Sequence, residues 1–114
     1  MSTNLVPVIA APTCLFAVEM VISDLSLVRH AGGSLGNGPH YWVVTVLDRN
    51  NGESVRSNEV SMVAGGGYNS VDLSWTAIPG AIGYNVYRTV TPGVYGADSL
   101  VGGTASSNYY YLLL

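Results

Sequence analysis

Two histidines, one cysteine and seven carboxylates are the groups in this chain that could do acid–base or nucleophilic chemistry. Acid–base work would draw on His30 or His40 together with Asp24, Asp48 or Asp98. None of these stands in a paired-carboxylate motif or in the spacing of a triad. His30 sits beside Gly32-Gly33 and reads as a loop residue. Ser34, in Gly-Gly-Ser-Leu-Gly, is not a nucleophile elbow, because that motif needs a strand before it and a helix after it. Cys14 is alone, which excludes an intramolecular disulfide and a multi-cysteine zinc site, and it reads as a small buried hydrophobe. The run from Asp48 to Glu53 faintly resembles a calcium loop. Calcium takes about six or more oxygens, so the plain reading is a turn. Gly65-Gly66-Gly67 lacks a following Lys-Ser/Thr and reads as a linker rather than a phosphate loop. The expectation is a protein that is not an enzyme, with no catalytic residue, metal or cofactor.

The elements around these residues are short. Single and clustered glycines separate segments rich in Val, Tyr, Trp and Thr, the pattern of strands joined by tight turns. Tyr41 to Leu47 is strongly β-prone, Asp48–Glu53 turns, and Ser57–Val63 returns as its partner. Val71, Leu73 and Trp75 alternate with polar residues, as in a half-buried strand. Ile78–Gly83 connects it to a further strand carrying Tyr84 and Val86. A looser segment, 91–98, precedes the last β-like stretches at 99–101 and 108–114. Residues 18–30 read as an irregular strand and turn rather than a short helix.

Composition narrows the class. A chain of 114 residues fits one domain. Only 10% of residues are charged, where roughly a quarter is usual. There is no lysine, and Arg29, Arg49, Arg56 and Arg88 are scattered, which argues against nucleic acid. So little charge suits a surface that is covered in use. Leu5–Ile22 is apolar but interrupted by Pro7, Pro12 and Glu19 and has no basic start. The expectation is neither a signal peptide nor a membrane span.

Val71–Thr76, Pro79-Gly80 and Gly83–Arg88 resemble strands B and C of fibronectin type III domains. The resemblance implies that Trp75 and Tyr84 pack between two sheets. His40–Ser61 resembles strands F and G of that family, with His40 at a core-edge position where tyrosine is usual. Ala11–Ala17 resembles strand A. The order A, F, G, B, C, C′, E is that of a circular permutant. The fold expected is therefore an all-β, immunoglobulin-like or fibronectin type III-like sandwich of about seven strands, apparently permuted. It fills 1–114 as one domain: an arm and first strand at 1–30, a hairpin at 38–64, and the remaining strands and tail at 68–114. Whether 5–30 and 105–114 pair within the chain or with a neighbouring copy is left open.

The core expected is Trp42, Val44, Val46, Val71, Leu73, Trp75, Tyr84 and Val86. On the other face of the first strand, Tyr41, Val43 and Leu47 would be unusually apolar for solvent. They are expected to be covered by a partner, or else by residues 18–30. Tyr109, Tyr110, Tyr111, Leu112, Leu113 and Leu114 carry no side-chain charge and are expected at a contact too. The Gly-Gly-Ser-Leu leader, Ser-Asn-Glu-Val-Ser and Leu-Ser-Trp-Thr resemble modules of tailed-bacteriophage virion proteins. That resemblance implies a structural virion protein, made in the host cytoplasm, foremost a capsid decoration or cement protein. It would bind capsid or tail proteins and copies of itself, not nucleic acid or membrane. The alternatives are a small tail or neck component, or a receptor- or carbohydrate-binding module using Tyr68, Tyr87 and Tyr95.

Overall fold

The computed structural model describes residues 21–50 and 52–111. Seven strands follow in chain order: β1 Ser26–His30, β2 Gly38–Leu47, β3 Val60–Ala64, β4 Ser70–Ser74, β5 Gly83–Thr89, β6 Leu100–Thr104 and β7 Asn108–Tyr111. They form two open antiparallel sheets, of order β1-β4-β7 and β3-β2-β5-β6, packed as a sandwich. The hairpin β2–β3 thus lies in one sheet and β4 in the other.

Strand alternation fills the space between the sheets. Trp42, Val44, Val46, Val71, Leu73, Trp75, Tyr84 and Val86 are all buried in one cluster with Ile22, Leu25, Leu35, Met62 and Ala64. Trp75 meets the Tyr84 ring edge-on at 5.2 Å between centroids, an arrangement favoured by the ring quadrupoles. The Tyr84 hydroxyl accepts the Ile78 amide proton at 3.0 Å and so fixes the β4–β5 connection.

Two local features depart from the sequence reading. The segment expected to return as a strand from Ser57 is regular only from Val60. Before it, the Ser57 hydroxyl accepts the Val44 amide and the Ser54 hydroxyl accepts the Val46 amide, both at 2.9 Å. The amides of Ser57 and Ser54 donate in turn to the carbonyls of Val44 and Val46. Two serine side chains thus stand in for ladder partners along a bulged edge. Residues 18–30 also take a different place. Within the described part, β1 pairs with β4, and Asn58 ties the start of this segment to the other sheet through the amide and carbonyl of Leu25, both at 3.0 Å. The expected strand at 11–17 lies outside the described residues.

The loops at one end zip together. Gly32 donates to Gly67 and accepts from Asn69, and Leu35 donates to Asn69. Gly33 has φ +83°, and a Cβ there would collide with the Asn69 carbonyl and with Ser70, so the crossing requires glycine.

Candidate interaction surface

The groups that suggested chemistry are spread through the fold. His40 is buried beneath the sheet, tilted against Trp42. An Arg88 guanidinium nitrogen donates to its Nδ1 at 2.7 Å, so Nε2 carries the proton and donates to the Gly36 carbonyl at 2.6 Å. Asp48 is buried, and its Oδ1 accepts the amides of Asn50 and Gly52 at 2.8 Å each, which makes it the clasp of the β2–β3 turn. Asp24 accepts from the Thr76 hydroxyl and amide and joins the start of β1 to the end of β4. Those bonds hold its carboxyl below the ordinary range. Asp98 lies exposed in the short 3-10 turn Ala97–Ser99, and Ser34 lies exposed in a loop. His30 approaches Asp72 at 4.0 Å on the outer face of the three-stranded sheet, a pairing that cross-strand register creates and the linear sequence does not announce. Among the described residues, no group of three or more His, Cys, Asp or Glu could hold a metal ion. Cys14 lies outside them.

The outer face of the four-stranded sheet carries Tyr41, Val43, Thr45 and Leu47 from β2, with Tyr87 of β5 directly opposite Val43. Tyr41 and Leu47 are half-buried, but Val43 is only 2% exposed. The cover comes from the chain itself. Residues 90–99 leave the end of β5 and return on β6, yet their contacts lie at 56–59, on the far side of β2. Glu59 accepts the Gly93 amide at 2.9 Å and the Tyr95 hydroxyl at 2.6 Å. Arg56 donates to the Gly93 carbonyl at 3.1 Å and lies 5.2 Å from the centre of the Tyr95 ring. Since Val60 faces Trp42 on the inner side, alternation puts Glu59 on the outer side. The strap is therefore anchored beyond β2, beside the Trp42–Val60 pair. Val43, expected at a partner contact, is closed off in the isolated chain.

Glu53 covers the other half of the strand. Its Oε2 accepts from Thr45 Oγ1 and the Tyr87 hydroxyl, at 2.5 Å each, and from Asn85 Nδ2 at 3.2 Å. Partial burial pushes the Glu53 carboxyl up, but the three hydrogen bonds together outweigh that and hold it below the usual value. Burial first, and then the bond to Glu53, raises the Tyr87 phenol. Tyr95 is raised likewise by burial and then by Glu59.

The three tyrosines considered for a ligand do not converge. Tyr87 and Tyr95 give their hydroxyls to Glu53 and Glu59. Tyr68 lies in the β3–β4 connection with the Arg29 guanidinium 5.0 Å from its ring centre. The tail divides as well. Tyr109 is half-buried against the core, and its hydroxyl donates to the Val101 carbonyl at 3.4 Å. Tyr110 and Tyr111 pair with Asp72 and Val71 as part of β7. Leu112, Leu113 and Leu114 lie outside the described residues.

What remains open is a scattered apolar surface. Val63 lies at the β3 edge, Val28 on the outer face of β1 and Leu100 opposite Tyr87 on β6, with Val55, Val90 and Val94 on connecting segments, all exposed. Sequence reasoning missed Glu53, Arg56, Glu59 and Tyr95 as the groups that close the sheet face, because they meet partners 32–37 residues away that only the folded sheet brings together. No protein-family model, no curated protein and no solved structure matches the chain.

Proposed function

We propose that this chain is a non-enzymatic structural protein of a phage virion, a capsid decoration or cement protein that binds capsid subunits and copies of itself through apolar surface. The observation that carries the reading is the pairing of an apolar, charge-poor exterior with a small sandwich. Eight large aliphatic side chains stand exposed among the described residues, on both sheets and their connections, while the whole chain has 4 basic and 7 acidic residues. A chain of this kind gains by burying that surface against neighbours. A standard interface of roughly 1,600 Å² in total suffices, and many copies add avidity.

The strand arrangement supports the permuted immunoglobulin-like reading that accompanies it. Sandwiches of that class keep C, F and G in one sheet and A, B and E in the other. With β2 as F, β3 as G, β4 as B and β5 as C, the sheets observed have that division. β1 then stands in the place of strand A beside B, and β7 in that of E.

The test is to sequence the genes beside this one and, where they encode a capsid protein, to co-express the two and sediment the shells. Stoichiometric retention on the shells, lost on Val63→Asp or Leu100→Asp with folding intact, is the expected result. Shells that stay bare at high concentrations of folded protein would turn the assignment towards tail, neck or receptor-binding roles.

A further inference from the structure

The covering of β2 has an unusual construction. Residues 90–99 cross an apolar strand, yet they contribute almost nothing apolar to it. Val90 and Val94, the aliphatic residues of the strap, are each 60% exposed. Its short 3-10 turn, Ala97–Ser99, has no buried residue. Within 90–98 only Tyr95 is even half-buried. The strap makes no ladder with the sheet. Its internal bonds are local, from Val94 to Thr91 and from Ser99 to Gly96, and its ties across β2 come from two side chains, Glu59 and Arg56. Beneath it the sandwich is closed by a separate and larger cluster, from Ile22 to Val86, to which no strap residue belongs.

We infer that residues 90–99 are a latch that opens as a unit while the sandwich stays folded, uncovering Val43 and the rest of Tyr41 on the outer face of β2. Local opening follows the distribution of buried apolar contacts, and here the boundary between few and many falls at the ends of the strap. Pro92 and Gly93, the latter at φ +78°, keep the strap in a compact turn, so the closed form depends on the Glu59 and Arg56 anchors. Val43 is hidden while the strap is closed, and release of one carboxylate and one guanidinium exposes it. The latch stands apart from the virion assignment.

Hydrogen exchange on the whole chain tests it. The amides of Gly93 and Val94 should exchange about 100-fold or more faster than that of Val44, which is the mark of opening below the global level. Glu59→Ala and Arg56→Ala should each speed Gly93 and Val94 by about tenfold and leave Val44 and Val86 unchanged. A second readout uses thiol labelling located by peptide mass, which separates the new thiol from Cys14. Labelling of a Val43→Cys chain should accelerate when Glu59→Ala is added, while that of a Val44→Cys chain should not. The inference is overturned if the anchor variants leave strap exchange unchanged, or if strap and core amides accelerate together.

Discussion

Trp75 shows how much one side chain decides. It is 6% exposed, lies edge-on to Tyr84, and its indole N–H is buried with no hydrogen-bond partner among the described residues. Its contribution is therefore shape and area, reduced by one unsatisfied donor. Trp75→Ala should destabilise by about 3–5 kcal/mol, whereas Trp75→Phe, which removes the orphan donor, should cost under about 1.5 kcal/mol. Urea unfolding of the two variants measures both, and equal losses would show that the indole nitrogen carries weight the structure does not give it. Trp75 was legible in the sequence because it closes an alternating run. Glu53 was not. Its three partners, Thr45, Asn85 and Tyr87, come from two strands that only the folded sheet sets side by side.

At the scale of elements, the sheet face and the β2–β3 turn meet at Glu53, and their joint stability should follow pH. The Glu53 carboxyl is held below its ordinary value of 4.5, so its bonds contribute fully above that pH and are lost as pH falls through the lower folded value. Asp24, also lowered, acts in the same direction. Stability from urea titrations should be level from pH 7 to about 5 and decline below it, and Glu53→Gln should flatten the decline. An unchanged slope in that variant would assign the acid sensitivity elsewhere. The long regular elements were readable, since β2, β4 and β5 announce themselves by aromatic and β-branched alternation. The serine-bridged stretch before β3 was not, because Ser54 and Ser57 look like turn residues until their hydroxyls are seen accepting β2 amides. The strap escaped for the opposite reason. Polar anchors 34–37 residues away in sequence leave no periodic mark.

For the whole molecule, the division into two sheets, with the β2–β3 hairpin in one and β4 in the other, was expected from the sequence, while the places of β1 and β7 had to come from the fold. β7 is an edge strand of the chain's own sandwich, and Tyr109 is one of its core neighbours. A chain ending at Asn108 should therefore lose about 3 kcal/mol or more, rather than fold normally and fail only in assembly. Thermal unfolding of that truncation decides the matter, and an unaltered transition would return Tyr109 to the interface.

The three-stranded sheet has a mechanical consequence. Ser26 of β1 and Asn108 of β7 both stand opposite Ser74 of β4, so the two outer strands run parallel to each other on either side of it. The backbone reaches β1 at one pole of the sheet and leaves β7 at the other. Tension between those points slides β1 and β7 along β4 in opposite directions. Hydrogen bonds perpendicular to the strands then share the load at once instead of parting one by one. Pulled through residues 25 and 111, the domain should yield at a high force in a single event. Pulled across the β2–β3 hairpin, it should unzip at a low one.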